Sequence, residues 1–481
     1  MVCGDNVSMK RVEGMNHSLA KFLLRAVLLL LLPAMLHAAP PNIVFILADD
    51  LGYGDVSCYG APDIKTPNMD KLATQGVRCT DGYAAFPVCS PSRTAILTGR
   101  YPHRFGLTFE DYFGEGAIDL DPKKHPTIGQ MLKQAGYTTG CFGKWNVANT
   151  HRRPANDYGF DKWVGIHINH DYYTHKHVAN GELDLFEDGK PLLDRNGTWS
   201  DTIFADEAIR FIKGPKTKPF FIYLTFQAPH DPIQDPDIPF DPPRDKKKAE
   251  NRPTYIKMVE RLDREIGRVL QALQEQGLAE KTLVILTSDN GAEPVIGRNL
   301  PLRGAKQELL EGGIRVPLIL RWPGVLAAGK VFSRPVIAMD LTATMAAAGG
   351  AQPPPNAPFD GVDLMPALTG NAQLSPGRSD YWRRRMVNVP KNEYFIRQSA
   401  VRKGDWKYLR TYERLDTGKF SEKYDEALYN LKNDIGEERN LARLEAAKLK
   451  EFRSLFSTWE EEINSSLKSG ESGEANKILS R

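Results

Sequence analysis

The sequence predicts an α/β fold: a large, mostly parallel sheet sandwiched by helices, with a smaller C-terminal α+β subdomain built on an antiparallel sheet. Three observations predict it. Continuous apolar runs of strand length, such as Asn42 to Leu47 (NIVFIL) and Pro219 to Gln227 (PFFIYLTFQ), fit strands buried on both faces, as in parallel sheets. Amphipathic helical segments separate these runs, and strand–helix alternation favours a parallel sheet. After about Pro376 the pattern changes to short strand-like segments and a closing helix.

In chain order, Asn42 to Leu47 runs into Ala48-Asp49-Asp50-Leu51-Gly52. This sets two acidic residues off the C-terminal end of a buried strand, where open α/β sheets place their ligands. Turn or capping aspartates would account for one of the pair. Asn68 to Thr74 reads as a short helix, and Val77 to Tyr83 as a strand leading into Phe86 to Arg104 (FPVCSPSRTAILTGRYPHR). Cys89 there stands at a helix N-terminus, since Pro91 suits a first turn and Gly99 supplies a stop. Backbone N–H groups, the helix dipole and Arg93 favour an anion beside it. A small buried hydrophobe is the alternative for the same cysteine.

Thr127 to Ala135 is an amphipathic helix, and the strand Tyr137 to Phe142 delivers Gly143-Lys144-Trp145-Asn146. His151 to Thr198 is polar and aromatic and reads as an insertion over the active face. It holds His167, His170, His175 and His177, for which a solvated loop, a sugar-lined cleft and a metal site all stay open. The next buried strand ends in Ala228-Pro229-His230, and Lys246 to Lys248 reads as a solvated charge run. Tyr255 to Glu275 carries apolar residues at helical spacing. The strand Thr282 to Leu286 then runs into Thr287-Ser288-Asp289-Asn290-Gly291, with Lys306 in a later loop. A strand at Leu318 to Arg321 and a helix at Asp340 to Ala348 close the larger part. Antiparallel strands are expected near Asp380 to Arg385, Gln398 to Arg402, Trp406 to Thr411 and Ala427 to Leu431, and a helix over Asn440 to Ile463.

The domain division implied is a leader at 1–39, a catalytic part at 40–375 and a C-terminal subdomain at 376–481. Lys10, Arg11, Lys21 and Arg25 precede the apolar run Ala26 to Leu36, and His37-Ala38-Ala39-Pro40 offers small residues for cleavage. That is the pattern of a secretory signal, too short for a membrane span, and it implies a secreted or periplasmic protein without stable membrane insertion. The 481 residues are 41% hydrophobic and 26% charged, an ordinary globular balance. A formal charge of +3 argues against nucleic acid as a partner, so any anion preference is local. Beyond the leader, Cys58, Cys79, Cys89 and Cys141 do not make a disulfide scaffold, and a bridge among Cys58, Cys79 and Cys141 is left open.

Parallel strands present their C-terminal ends on one edge, so Asp49, Asp50, Asp289 and Asn290 can converge with Cys89, Arg93, Lys144, His230 and Lys306. An all-oxygen donor set suits calcium or magnesium rather than zinc. Three fixed cations and a titratable histidine can hold a tetrahedral anion and protonate a leaving oxygen.

The string C-x-P-S-R followed by T-x-x-L-T-G-R resembles the signature of the formylglycine-dependent sulfatases. Similar segments follow in family order: ADDLGYGD, TPNMDKLATQGV, GYTTGCFGKW, QAPH, TSDNG, EGGIRVPLILRWPG and LYNLKND. The resemblance covers nearly the whole chain after the leader and implies the fold of the alkaline phosphatase superfamily. It further implies that a maturation enzyme converts Cys89 to formylglycine, whose hydrate attacks sulfur beside a cation, calcium before magnesium, held by Asp49, Asp50, Asp289 and Asn290. Arg93, Lys144 and Lys306 would neutralise the sulfate oxygens, and His230 would serve the departing alcohol. The implied activity is hydrolysis of a sulfate ester on a sulfated saccharide, with Asn146, His151, His170 and His175 toward the substrate. A phosphate or phosphonate ester hydrolase, or an impaired sulfate-binding relative, are the other readings of this scaffold. Asn146 departs from the pattern, because the family commonly has histidine there and an amide cannot accept a proton at neutral pH.

Overall fold

The computed structural model describes residues 40–105, 120–147, 153–178, 180–215, 217–384, 397–415 and 420–468. The expected leader at 1–39 and His151 lie outside them. In chain order the strands are β1 (Asn42–Ala48), β2 (Val77–Cys79), β3 (Gly82–Tyr83), β4 (Thr138–Lys144), β5 (Lys162–Ile166), β6 (Phe186–Glu187), β7 (Lys190–Pro191) and β8 (Phe220–Thr225). They continue with β9 (Thr282–Ser288), β10 (Leu318–Arg321), β11 (Lys330–Phe332), β12 (Val336–Ile337), β13 (Ser379–Arg384), β14 (Gln398–Lys403), β15 (Trp406–Arg414) and β16 (Phe420–Asn430). The principal helices are α1 (Pro67–Thr74), α2 (Cys89–Thr98), α3 (Ile128–Gln134), α4 (Ser200–Lys213), α5 (Arg252–Glu275), α6 (Ala338–Ala348) and α7 (Ala446–Lys468).

The main sheet has the order β11-β2-β10-β9-β1-β8-β4-β5-β6-β7. Its central run β9-β1-β8-β4-β5 is parallel throughout, while β10 runs antiparallel to both β9 and β2. Side chains alternate across each strand, so one strand feeds two cores. Val44 and Ile46 of β1 face a cluster with Met69 of α1, Phe204 of α4 and Leu262 and Ile266 of α5. Ile43, Phe45 and Leu47 face the other cluster, with Ile96 of α2, Met131 and Leu132 of α3 and Met339 of α6. The mostly parallel sheet between helical layers is therefore as the sequence predicts.

Three local departures have physical causes. Val77 to Tyr83 is not one strand but two, broken where the Thr80 carbonyl accepts from Arg315 Nε (2.8 Å) and Asp81 binds Arg315 and Arg402 (3.0 and 2.6 Å). The expected insertion donates a true strand, β5, whose buried Trp163, Val164 and Ile166 pair with β4. Helix α4 was legible in Ile203, Phe204, Ala208 and Ile212, which are buried at helical spacing, yet the sequence reading passed over it. The described cysteines are all free.

Strands β13 to β16 form the separate antiparallel sheet. Trp382, Val401, Tyr408 and, from α7, Phe456 and Trp459 belong to the same apolar cluster as the helices above. A buried ion network joins this sheet to the main domain. Lys407 Nζ lies 2.9 Å from both Glu311 and Glu437, with all three side chains fully buried. Burial opposes ionisation of Glu311, but Lys407, Arg315 and Arg402 hold it down at about 2. Removing the ammonium strands two buried carboxylates, so Lys407→Met is expected to cost about 3–5 kcal/mol in urea denaturation at neutral pH.

His103 gives a pH signature. Its Nε2 lies 2.6 Å from the Arg383 carbonyl, and its ring packs edge-on against Trp459 of α7. Burial, then the Arg383 charge, pulls its imidazole down to about 3. The unfolded chain takes up that proton near pH 6.5 and the folded chain does not, so this contribution to stability is whole above about pH 6.5 and lost as pH falls toward 3. Thermal melting across that window is expected to fall less steeply for His103→Phe than for the natural chain.

Candidate active site

The C-terminal ends of four of the five parallel strands bring the candidate residues together. Asp49 and Asp50 follow β1, Lys144 ends β4, His230 follows β8, and Asp289 and Asn290 follow β9. Helix α2 aims Cys89 at this edge. Carboxylate oxygens of Asp49 and Asp50, Cys89 Sγ and a ring nitrogen of His230 lie within 4.8 Å of one another. Close backbone packing permits this convergence: a Cβ on Gly143, at φ 114°, would lie 1.8 Å from the Thr225 carbonyl.

Asp50 adopts φ 64°, a left-handed conformation that costs a non-glycine residue about 1–3 kcal/mol. The partner strand end holds it there. Its N–H donates to Asp289 Oδ1 (3.2 Å), Leu51 N–H donates to Ser288 Oγ (2.9 Å), and Asn290 Nδ2 donates to Asp50 Oδ1 (2.7 Å).

Three cations interleave with three carboxylates. Arg93, without any exposure, donates from Nε to Asp289 Oδ2 (2.9 Å) and from Nη1 to the Lys144 carbonyl (2.8 Å), and its Nη2 lies 3.6 Å from Asp49 Oδ1. Lys144 Nζ binds Asp49 Oδ2 at 2.6 Å, and Lys306 Nζ binds Asp50 Oδ2 at 2.7 Å. Burial would lift Asp49, but Lys144, His230, Arg93 and Lys306 hold it well below the usual carboxylate range. Burial and then the Asp49 charge push Asp289 up to about 7. Burial likewise raises the Cys89 thiol far above its ordinary value, against the pull of Lys144 and Lys306. Burial therefore disfavours the thiolate form of the sulfur.

The oxygen set fits a hard cation. Asp49 Oδ1 and Asn290 Oδ1 are buried without a hydrogen-bond partner, and both sit in the cluster of Asp50 and Asp289. Orphaned buried oxygens of this kind are what a calcium or magnesium ion satisfies.

A rim of residues that sequence reasoning missed surrounds the cluster. Asn169 donates to Asp49 Oδ2 (2.9 Å). Glu293 Oε1 lies 3.2 Å from Lys306 Nζ and 2.8 Å from Lys246 Nζ, and Lys246 also binds Asp231 Oδ1 at 2.9 Å. Asp231 Oδ1 in turn lies 3.0 Å from His230 Nδ1, while His230 Nε2 points at Asp50 Oδ2 from 3.5 Å. Burial opposes ionisation of Glu293, but Lys306 and Lys246 pull it to about 2. Lys246 is therefore an internal tie and not the solvated charge expected of its run; its only sequence signal was three consecutive lysines.

Asn146, at φ 49°, lies just past β4 with its N–H on the His167 carbonyl (2.9 Å). His170 and His175, expected toward substrate, are buried, with His170 Nδ1 3.0 Å from the Asp184 carbonyl and His175 Nε2 2.9 Å from the Thr198 carbonyl. They hold the loop together. His151 lies outside the described residues.

A mostly parallel sheet with an antiparallel C-terminal sheet, and a cation-ready cluster at its strand ends, defines a protein of the alkaline phosphatase superfamily. The sulfatase family profile matches residues 41–351, and the N-sulphoglucosamine sulphohydrolase C-terminal profile matches 305–462. The chain belongs to the sulfatase family of sulfuric ester hydrolases. It is 33% identical to N-acetylgalactosamine-6-sulfatase of Canis lupus familiaris over 367 residues, 72% of this chain and 69% of that one. Arylsulfatase A of Homo sapiens is 34% identical over 381 residues, 74% and 73% of the two chains. The crystal structure of Ps i-CgsB in complex with k-i-k-neocarrahexaose shares 32% identity and a TM-score of 0.74, over 87% of this chain and 92% of that one. Among the described residues no helix is long and apolar enough to cross a membrane.

A ligand that binds only the folded state stabilises it by about 2.7 kcal/mol at a hundred times its Kd. Saturating Ca2+ is expected to raise the melting temperature of the natural chain, EDTA to reverse the rise, and Asn290→Ala to abolish most of it.

Proposed function

We propose that this chain hydrolyses a sulfate ester on a sulfated saccharide, with Cys89 as the precursor of the reacting group. One observation carries the reading: a buried cysteine at a helix start is set within 4.8 Å of two carboxylates and a histidine. A soft sulfur among hard oxygen donors is out of place as a ligand for a hard cation. An oxygen-bearing side chain at the same position is not. When matured and loaded, the site gains a formylglycine hydrate, which supplies a hydroxyl nucleophile, and a divalent cation, calcium by preference, which supplies Lewis acidity beside it.

The chain's own groups supply the rest. Asp49, Asp50, Asp289 and Asn290 hold the cation. Arg93, Lys144 and Lys306 are permanently charged donors converging on one edge, suited to neutralising sulfate oxygens as charge builds on them. His230 stands at the rim, side chain 13% exposed, where it can pass a proton from Nε2 to the departing sugar oxygen. Asp231 faces Nδ1 and keeps Nε2 turned inward. Asn146 can donate a hydrogen bond to the substrate but cannot take up a proton, so it is assigned to binding, together with His151. Saccharide specificity is supported by the relatives, one named for a sulfated amino sugar and one solved with neocarrahexaose. The apolar run at 26–36 supports export, and Cys89 maturation requires a formylglycine-generating partner enzyme.

Mass spectrometry of the Cys89 peptide from active protein is expected to show a species about 18 Da lighter than the thiol form. Lys144→Ala is expected to lower kcat/KM for sulfate release by about 100-fold or more, the usual loss for one transition-state donor. Full activity from wholly unmodified Cys89, or faster turnover of a phosphate ester than of the matching sulfate ester, would refute the assignment.

A further inference from the structure

The reaction as proposed gives Lys246 no task, yet its ammonium stands between two carboxylates that touch catalytic groups. The loop from Asp231 to Lys246 follows β8 and His230 and folds back on itself. Arg244 N–H donates to the Ile233 carbonyl (2.8 Å), and the fully buried Gln234 donates from Nε2 to the Asp241 carbonyl (2.6 Å) and to Asp171 Oδ2 (2.8 Å). The Tyr173 hydroxyl donates to the Asp235 carbonyl (2.8 Å), which ties the loop to the insertion. Lys246 is thereby brought back beside Asp231.

From the opposite side, Lys306 N–H donates to the Ala292 carbonyl (2.9 Å) and sets Glu293 next to Lys306. A ring nitrogen of His230 and one carboxylate oxygen each of Asp231 and Glu293 lie within 4.8 Å of one another. Two carboxylates this close repel unless a cation separates them. Lys246 Nζ does so, 2.9 Å from Asp231 Oδ1 and 2.8 Å from Glu293 Oε1. The same two oxygens meet the catalytic groups, Asp231 Oδ1 at 3.0 Å from His230 Nδ1 and Glu293 Oε1 at 3.2 Å from Lys306 Nζ. The Lys246 side chain is only 28% exposed, so these are not screened surface pairs. Burial opposes its charge, but Glu293 and then Asp231 hold the ammonium above the ordinary lysine value. None of the four contacts involves Asp49, Asp50, Asp289 or Asn290, so this arc does not draw on the oxygens assigned to the cation.

We propose that Lys246 is a positioning residue for departure of the sugar oxygen: by separating Asp231 from Glu293 it keeps Asp231 on His230 Nδ1 and Nε2 aimed at the leaving oxygen. The proposal rests on the sulfatase reading and adds a residue that acts through another. The Asp231 carbonyl also lies 2.7 Å from His230 Nδ1, so both acceptors that orient the ring belong to the residue Lys246 holds. As the S–O bond breaks, its electron pair stays on the sugar oxygen and the Nε2 proton neutralises it. Without the ammonium, Asp231 is repelled by Glu293 and the ring loses its aim. An ester whose alcohol is stable as an anion leaves without that proton and is spared.

The test uses the full, matured chain loaded with Ca2+ and measures kcat/KM for sulfate release across aryl sulfates of rising leaving-group basicity, from 4-nitrophenyl through phenyl to 4-methoxyphenyl sulfate. In Lys246→Met and in Lys246→Gln the rate ratio of the 4-nitrophenyl to the 4-methoxyphenyl ester is expected to rise about tenfold, a part of the roughly 100-fold or more that a general acid supplies. Lys246→Arg, which keeps the charge, is expected to bring the ratio back toward that of the natural chain. Asp231→Asn, nearly isosteric, is expected to raise it as Lys246→Met does. In a His230→Ala background Lys246→Met is expected to leave the ratio unchanged, since the group through which it acts is gone. A ratio that keeps its natural value in the Met and Gln variants, whether or not all esters slow together, reduces Lys246 to a structural tie and overturns the proposal. A rise of the same size in the His230→Ala background, or a natural ratio in Asp231→Asn, overturns it as well. A natural chain that releases sulfate from no ester of the series overturns the sulfatase reading with it.

Discussion

Arg93 is the tie on which the rest of the site depends. Its guanidinium is fully buried and reaches elements that are remote in sequence: Asp289 after β9, Asp49 after β1 and the carbonyl of Lys144 at the end of β4. It therefore locks helix α2, and with it Cys89, to the edge of the sheet. Taking such a charge out of water is costly, and the cost is met only because carboxylates and a carbonyl close round it. The same arrangement explains why the three carboxylates can be packed together at all. Arg93, Lys144 and Lys306 are interleaved with them, and the two oxygens left over, Asp49 Oδ1 and Asn290 Oδ1, define where a divalent ion fits.

Around this centre a second ring of charges is tied together by ion pairs. Lys246 joins Asp231 to Glu293, Asp231 fixes one nitrogen of His230, and Glu293 steadies Lys306. His230 and Lys306 are thereby each given a charged partner. The strained backbone of Asp50 belongs to the same logic, since the strand end at Asp289 and Asn290 over-determines its position. Strain held in this way pre-organises the ligand set before any ion arrives.

The C-terminal sheet is bound to the main domain through both apolar and charged contacts. Trp382 and Tyr408 share the main cluster, and the buried network of Glu311, Lys407 and Glu437 fixes the register of that contact. Arg384 of the same sheet also donates to the backbone carbonyl and Oε1 of Gln307, the residue after Lys306.

Much of this was legible in the chain. Apolar runs bounded by turn residues named β1, β4, β8 and β9, because a doubly buried strand has no choice but to be continuously apolar. Their polar ends named Asp49, Asp50, Lys144, His230, Asp289 and Asn290, because parallel topology places such ends on one edge. What lacked a local signal was decided by packing. Strand β5 hides inside a polar stretch, and its pairing to β4 comes from three buried residues in an otherwise hydrophilic segment. The backbone partners of His170 and His175, the Asp184 and Thr198 carbonyls, come from elsewhere in the loop and had no sequence signal. Lys246, Asp231, Glu293 and Asn169 acquire meaning only from neighbours across the fold. Thus the sequence by itself determined the layered sheet and the edge on which its polar strand ends gather, through hydrophobic periodicity and strand-end chemistry. Only the tertiary structure decided which charges pair and which oxygens remain without a partner, because those depend on distances between elements that no local pattern encodes.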